Sequence, residues 1–195
     1  MDPIARIKND RAEARKLEDP NADICFLALA DAEGQPSVRT LVLRDISNNS
    51  FTLFMNQSSP KWKLLNAGGR WEFLLWYQSM QRQYRVSGTF APLDSDFVRQ
   101  NWRRRPAGSK YLDILYEFTA DQSSAIESRE HLVREITRIR NEHSVDDMEA
   151  PQKVAGAELI ATRIEMLDLN REDRIHDRQV FTFDGKRWSS QTLIP

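Results

Sequence analysis

The chain has 195 residues, of which 40% are hydrophobic, and its 28 basic and 29 acidic side chains leave a formal net charge of −1. This length fits a single domain with a sizeable core. The balanced charge excludes a general attraction to nucleic acid or membranes. The single cysteine, Cys25, excludes an internal disulfide. The N-terminal segment is charged and lacks the apolar core of a signal peptide, so we expect a soluble, cytoplasmic protein.

Helical periodicity and capping residues predict four helices, at 3–17, 59–67, 94–105 and 122–142. Apolar runs separated by turn residues predict eight strands, at 23–31, 37–45, 51–56, 70–78, 82–93, 158–169, 178–183 and 187–194. We expect the first three strands to form an antiparallel meander. Strands of this number and spacing, with few helices, indicate a small antiparallel barrel.

Two arginines, Arg39 and Arg44, lie five residues apart in the second apolar run. An arginine in such a strand is unfavourable unless it meets an anion. Each is therefore either a contact to a ligand phosphate or a strand-edge residue paired with a carboxylate such as Asp31 or Asp45.

Ser58, Ser59 and Lys61 stand at the predicted start of the second helix, where backbone N–H groups favour an anion. Helix capping alone explains the serines. It does not explain Lys61, because the helix dipole disfavours a cation in the first turn.

The segment 101–110 places three consecutive arginines before Pro-Ala-Gly-Ser. It predicts either a solvated helix end or a phosphate-binding corner that includes Ser109. Gln83, which opens an apolar strand, either hydrogen-bonds an amide-like ring edge or faces water.

The segment RIHDR (174–178) is highly charged and directly precedes an apolar strand. It is either a solvated strand end or a C-terminal segment that closes a site. The three histidines form no metal-binding motif, so we expect no metal site. No glycine-rich nucleotide loop or nucleophile elbow is present.

Taken in order along nearly the whole chain, these segments resemble the pyridoxamine 5′-phosphate oxidase family, which uses the FMN-binding split barrel. The matching segments are GQPSVRTLVLR (34–44), FTLFMNQSSPKWKLL (51–65), RQYRVSGTFAPL (82–93), RRPAGSK (104–110), DQSS (121–124) and the C-terminal RIHDR. The resemblance implies a mainly β fold with peripheral helices, a split antiparallel β-barrel. It implies one domain over 1–195, with a barrel core at 20–120, the helix 122–142, and strands at 157–195 for dimerisation and site closure.

The resemblance also implies FMN as cofactor and a homodimer whose site is shared, with Arg178 reaching FMN from the second subunit. Expected FMN contacts are Arg39, Thr40, Leu41, Val42, Arg44, Phe54, Met55, Ser59, Lys61, Gln83, Gln122, Ser123 and Arg178. Expected substrate contacts are Arg44, Arg105, Ser109, Arg174 and His176. Arg174 and His176 would lie over the substrate ring as the catalytic pair. The expected reaction is oxidation of pyridoxamine or pyridoxine 5′-phosphate to pyridoxal 5′-phosphate with oxygen.

Several positions depart from the family pattern. Pro60 stands in place of a phosphate-binding arginine, Asn101 in place of a tyrosine that contacts substrate phosphate, and Leu167 in place of a tryptophan beside the flavin. Arg44 replaces a lysine, and Phe54 and Met55 replace a Tyr-Thr pair. Two alternatives therefore stay open: a related FMN oxidoreductase with another planar substrate, and a non-catalytic flavin-binding protein. A third use of RIHDR would be dimer packing alone.

Overall fold

A computed structural model describes residues 2–144 and 147–195. Within these residues nine strands form one sheet. The strands are β1 Ile24–Ala30, β2 Pro36–Val42, β3 Asp45–Ser47, β4 Ser50–Asn56, β5 Trp71–Tyr77, β6 Arg82–Pro92, β7 Val154–Asp168, β8 Asp177–Phe183 and β9 Trp188–Thr192. The α-helices are α1 Pro3–Lys16, α2 Pro60–Asn66, α3 Ser95–Trp102, α4 Ala107–Phe118 and α5 Arg129–Glu142.

The strand order in the sheet is β2-β1-β5-β6-β7-β4-β3, with β8 paired to β7 and β9 paired to β8. The hairpins β1–β2, β5–β6 and β8–β9 are antiparallel, as the sequence predicts. The predicted meander of the first three runs is wrong for its third strand, because β4 pairs with the short β3. The chain leaves the β2 ladder at Leu43, whose N–H donates to Asp23, and Arg44 then bonds Thr52.

The chain folds as two compact units. The first unit comprises 2–53, 68–91 and 158–195, and the second comprises 54–67, 92–144 and 147–157. The assignment of the whole chain to a single domain stays a prediction.

The core of the first unit includes the inward faces of the paired strands β1 and β5, whose buried residues alternate with less buried neighbours. Cys25 lies on this face without solvent contact, and burial raises the pKa of its thiol to about 12. Gly88 lies so close to β7 that a Cβ atom there would stand 1.9 Å from the carbonyl oxygen of Ile160.

Helix packing forms the core of the second unit. Tyr111, Ile114 and Leu115 of α4 pack with Ile139 of α5. A second cluster joins Val98 and Trp102 of α3 to Val154. Because helices have one apolar stripe each, such pairing buries what an isolated helix would expose.

The helix boundaries differ from the sequence prediction at three places. The helix expected over 122–142 begins at Arg129, where the Ser128 hydroxyl accepts from the N–H of His131. The helix expected over 94–105 ends at Trp102. Helix α4 was not predicted. In the part of the chain that the structure describes, no helix combines the length and apolar character needed to cross a membrane.

Candidate functional site

In the second unit, a buried lysine and the turn after α4 come together. Lys61 is 8% exposed, and its Nζ donates to Oε1 of Gln122 at 2.9 Å. The backbone N–H of Gln122 donates to Oγ of Ser58, also at 2.9 Å. These bonds bring together two residues, Lys61 and Gln122, that were expected to contact the cofactor from segments 61 positions apart.

Asn56 completes this group from the end of β4. It is 1% exposed, and its Oδ1 accepts from N–H and Oγ of Ser58 at 2.9 and 2.6 Å. Its Nδ2 is buried and has no partner among the described residues. A buried amide normally finds an acceptor, so this donor suits an anionic ligand. We call Asn56, Ser58, Ser59, Lys61 and Gln122 the Lys61 cluster.

For Ser59, the structure shows the hydrogen bonds of a helix cap. Its side chain has no solvent contact, its Oγ donates to the carbonyl of Asn56 at 2.7 Å, and the same Oγ accepts from the N–H of Trp62. Pro60 occupies the first position of α2. The hydroxyl of Ser59 is therefore engaged in holding the start of the helix.

The turn that carries Gln122 is held by charge and by local strain. Nζ of Lys153 lies 3.3 Å from Oδ1 of Asp121, and Oγ of Ser124 donates to the Asp121 carbonyl. Ser123 has a φ of 74°, a left-handed conformation that residues other than glycine adopt infrequently. Such strain concentrates at functional sites.

Two further expected cofactor contacts, Phe54 and Met55, have core positions. Phe54 is half-buried and packs on the cluster of Val98 and Trp102. Met55 is 4% exposed. Their side chains thus contribute to packing in the second unit.

The arginine of the expected phosphate corner is held by a buried carboxylate. Nη1 of Arg105 lies 2.6 Å from Oδ2 of Asp113, which also accepts from Nε1 of Trp102 at 2.7 Å. Burial raises the pKa of Asp113 despite the Arg105 charge and both hydrogen bonds. Nε of Arg105 is buried without a partner among the described residues.

The other members of this corner lie around the start of α4. Ser109 is in the first turn of this helix. Pro106, the residue directly before the helix, forms no capping hydrogen bond with its side chain. Asn101 donates from Nδ2 to the carbonyl of Phe97, within its own helix, at 2.9 Å. The corner therefore offers Arg105 and Ser109, while Asn101 is engaged elsewhere.

In the first unit, the expected contacts on β2 divide between two faces. Thr40 and Val42 are exposed, whereas Arg39 and Leu41 are half-buried. The Arg39 guanidinium donates to Oγ of Ser37, and burial lowers its pKa. Arg44 lies beyond the end of β2 and is exposed.

Gln83 and a cluster of charges share the sheet of the first unit. Gln83 is half-buried on β6, opposite Trp76. Two residues along, Arg85 reaches Glu165 of β7 at 3.2 Å. Glu165 also accepts from Arg163 at 2.7 Å.

Arg178, an expected FMN contact, belongs to the same cluster. Its Nε and Nη2 lie 3.0 and 2.8 Å from Oε1 of Glu165. The Glu165 side chain is 4% exposed. Burial opposes its ionisation, but the hydrogen bonds of Arg163 and Arg178 and the nearby charges prevail and lower its pKa. We call Arg85, Arg163, Glu165 and Arg178 the Glu165 cluster.

The RIHDR segment precedes β8. Arg174 is exposed, with a φ of 64°. His176 is half-buried, and its Nδ1 lies 3.1 Å from the N–H of Asn170. Because Nδ1 accepts that bond, the neutral ring carries its proton on Nε2. A cleft of 610 Å³ borders this segment at Ile175 and Asp177, a size within the usual range for small ligands.

Comparisons with known proteins show the family of the chain. A family model described as pyridoxamine 5′-phosphate oxidase matches residues 11–143. The chain belongs to the pyridoxamine 5′-phosphate oxidase family. The pyridoxine/pyridoxamine 5′-phosphate oxidase of Erythrobacter litoralis is 30% identical over 200 residues, covering the whole chain and 91% of that protein. That of Cyanothece is 31% identical, covering 94% of the chain and 82% of the enzyme.

Solved structures show the same fold. PhzG from Burkholderia lata, in complex with tetrahydrophenazine-1-carboxylic acid, superposes with a TM-score of 0.88 at 22% identity, covering the whole chain and 93% of that structure. A pyridoxamine 5′-phosphate oxidase-related, FMN-binding protein from Nostoc punctiforme gives 0.76 at 18% identity, covering 100% and 99%. The predicted fold class, a mainly β split barrel with peripheral helices, is confirmed. The oxidase family comprises FMN-binding oxidoreductases.

Five residues in these groups were not expected from the sequence: Asn56, Arg85, Asp113, Arg163 and Glu165. Asp113 lies in a helix that was not predicted. Glu165 and Arg163 lie two residues apart on β7. Because side chains in a strand repeat every two residues, this spacing in the sequence indicates that both side chains share one face. Asn56 ends β4 two residues before Ser58, and only its burial and its bonds to Ser58 identify it as a member of the site.

Proposed function

We propose that this oxidase-family chain binds FMN and oxidises a small planar substrate that carries an anionic group. Pyridoxamine or pyridoxine 5′-phosphate is the leading substrate, and pyridoxal 5′-phosphate the product. The observation that carries the proposal is the Lys61 cluster, which joins a buried ammonium group to a buried amide donor within the segment that the family model matches.

The donor set of the Lys61 cluster fits a phosphate group. A phosphate supplies several charged oxygens, which accept strong hydrogen bonds from an ammonium group and from an amide N–H. Lys61 and Asn56 would donate to it from the second unit. Arg39 keeps its expected role as a contact to the FMN phosphate, and its guanidinium suits bidentate binding.

The remaining expected contacts keep their roles within the proposal. Gln83 would hydrogen-bond the flavin ring, and Gln122, Ser123 and Arg178 would also reach FMN. FMN, when bound, supplies the ring that takes a hydride from the substrate and passes two electrons to oxygen. Arg105 and Ser109 would bind the substrate anion.

The RIHDR segment would orient the substrate. For pyridoxamine 5′-phosphate, the carbon that bears the amine loses a hydride and its nitrogen a proton, and oxygen becomes hydrogen peroxide. Water then replaces the nitrogen, which leaves as ammonia. His176 presents a donor at Nε2, because Asn170 occupies Nδ1. That donor can hold a substrate oxygen or nitrogen in place, and Arg174 adds a positive charge two residues away.

One observation favours a second substrate class. Arg105 is already paired with Asp113, and Asn101 is bonded within α3. A corner with so much of its positive charge balanced suits a carboxylate as well as a doubly charged phosphate. A planar ring carboxylate, the class of ligand bound to the Burkholderia lata structure, is therefore the second candidate.

The proposal is tested by titrating purified protein with FMN and recording flavin absorption after desalting. We expect near-stoichiometric retention by the wild type and a loss of affinity of about 100-fold in Lys61→Gln, since a phosphate contact to a buried charge is removed. Lys63→Gln is the matched control. Lys63 lies on the same helix with a side chain 61% exposed, and its partner Asp121 keeps the contact to Lys153. Wild-type protein that retains no flavin would contradict the proposal.

Substrate class is then decided by mixing the loaded protein, without oxygen, with pyridoxamine 5′-phosphate, pyridoxine 5′-phosphate or a planar ring carboxylate. We expect flavin absorption to bleach with a vitamer phosphate. Bleaching by the carboxylate alone selects the second candidate. Retained flavin that none of the three bleaches would favour a non-catalytic flavin-binding protein.

A further inference from the structure

The Glu165 cluster places one buried carboxylate among three arginines. Oε1 of Glu165 accepts from Arg85 and twice from Arg178, and Oε2 accepts from Arg163. The side chain of Glu165 is 4% exposed, whereas those of the three arginines are 31% to 38% exposed. The carboxylate therefore lies beneath the guanidinium groups, which reach solvent above it.

The bonds to Arg178 fix the direction in which that side chain points. A guanidinium has five N–H donors in a rigid plane. In Arg178, Nε and one N–H of Nη2 face Glu165, and one N–H of Nη1 reaches the carbonyl of Ile194 at 3.3 Å. Among the described residues this leaves one N–H on each terminal nitrogen for a ligand. An arginine held in this way loses less side-chain entropy when it binds an anion.

We propose that Glu165 is a positioning residue that holds Arg178 in the orientation that binds FMN. The role rests on the FMN binding proposed above, and Glu165 itself touches neither cofactor nor substrate. Two effects oppose each other when its charge is removed. The cluster becomes more positive, which would attract a phosphate-bearing ligand. Arg178 is also held less firmly, because an amide oxygen accepts a weaker hydrogen bond than a carboxylate oxygen and an amide nitrogen accepts none.

The weaker hold on Arg178 is expected to be the larger effect. The added charge acts from side chains about one third exposed, where solvent screens it. The two bonds to Glu165, by contrast, set the plane of the Arg178 guanidinium. Because the group is planar, a change in its orientation weakens both of its hydrogen bonds to the ligand. We therefore expect FMN to bind about tenfold more weakly to Glu165→Gln.

The experiment measures FMN affinity of the full chain by quenching of flavin fluorescence. Four proteins form a double-mutant cycle: wild type, Glu165→Gln, Arg178→Ala and the double variant. If Glu165 acts through Arg178, the double variant binds FMN no more weakly than Arg178→Ala alone. Additive losses, unchanged affinity or tighter binding in Glu165→Gln would each overturn the proposal.

Two further variants separate positioning from folding. Glu72→Gln is the matched control. Among the described residues, Glu72 forms an ion pair with Arg85 alone, at 2.9 Å, and both side chains are more than a third exposed. We expect its FMN affinity to equal that of the wild type. Glu165→Asp keeps the charge, and we expect it to recover most of the affinity. Unfolding midpoints of all variants are recorded without FMN. If Glu165→Gln does not fold, the affinities of Glu165→Asp and of its double variant with Arg178→Ala decide the question.

The outcomes distinguish this inference from the proposed function. Wild-type protein that does not bind FMN would remove the function itself. Wild-type protein that binds FMN with Glu165→Gln unchanged would leave the function and remove only the role of Glu165.

Discussion

Each compact unit holds an arginine of the proposed site against a carboxylate, and the two carboxylates respond to burial in opposite ways. Glu165 and Asp113 have equally buried side chains, each 4% exposed. The pKa of Glu165 lies below its usual value and that of Asp113 above it. Glu165 faces three arginines, whereas Asp113 faces Arg105 and the neutral indole of Trp102.

The comparison shows that burial alone does not set the ionisation of a carboxylate in this protein. Desolvation favours the neutral acid at both positions, and each nearby cation opposes it. At Glu165 three arginines outweigh desolvation, whereas at Asp113 a stronger desolvation outweighs one arginine and one neutral donor. Glu165 is therefore a stable anion around which arginines can be ordered, whereas Asp113 is a weaker anion that balances a single arginine.

The largest expected effect comes from breaking the ion pair between Arg105 and Asp113 in the second unit. Arg105→Ala leaves Asp113 buried without its cation, and we expect a loss of about 3 kcal/mol in the free energy of unfolding at pH 7. Urea denaturation measures it. Arg104→Ala, at the exposed neighbouring position, is the control and should change little. A loss below about 1 kcal/mol in Arg105→Ala would mean that Asp113 does not depend on this arginine.

The second expected effect is that the contributions of Glu165 and Asp113 to the free energy of unfolding depend on pH in opposite directions. For Glu165, whose pKa is lower in the folded state, the stabilisation is present above its unfolded value of 4.5 and is lost as the pH falls through the folded pKa. The advantage of wild type over Glu165→Gln should thus shrink in acid. For Asp113, whose pKa is raised, the folded state binds the proton more tightly. The stability of wild type relative to Asp113→Asn should rise as the pH falls through the raised pKa toward 3.8.

Urea denaturation at several pH values between 3 and 7 measures both differences, and we expect them to change in opposite directions as the pH falls. Each variant serves as the control for the other, since any general effect of acid on the fold moves both in the same direction. Parallel curves for the two variants would show that the contrast between the two carboxylates is wrong.

The smallest expected effect concerns Glu72, which is an exposed counterpart of the buried Glu165. Glu72 pairs with Arg85 at 2.9 Å, with the two side chains 36% and 38% exposed. We expect Glu72→Gln to lower the free energy of unfolding by about 0.5 kcal/mol or less, because solvent screens such a pair. The same denaturation series measures it beside Glu165→Gln. A loss as large as that of Glu165→Gln would show that burial is not what distinguishes the two glutamates.

Local signals in the sequence were enough for much of the fold. The start of α2 was predicted because Ser59 and Pro60 specify a helix start through their own backbone neighbours. The hairpins were predicted from turn residues between apolar runs. Helix α4 was not, because Pro106 and Gly108 suggest a loop, and the helix is stabilised by packing of Ile114 and Leu115 on α5. The last helix was predicted to begin too early, at residue 122. In the structure it begins at Arg129, because the Ser128 hydroxyl caps it there.

The candidate site was predictable where a motif marked it. Lys61 was singled out because capping did not explain a cation in the first turn of a helix, and the family resemblance added Gln122. The carboxylates that hold the arginines were not found. Arg85 and Glu165 are 80 residues apart, and no local pattern indicates that strands β6 and β7 bring them together. The roles of the individual FMN and substrate residues stay predictions.

The burial of Cys25 has a practical consequence for spectroscopic work on this protein. A thiol without solvent contact, and with a pKa of about 12, is unreactive toward maleimides near neutral pH. The natural chain therefore needs no cysteine removal before a reporter is attached. A cysteine introduced at an exposed position such as Ile194, which is 91% exposed, would carry a fluorophore or spin label at one defined point beside the C-terminal strands.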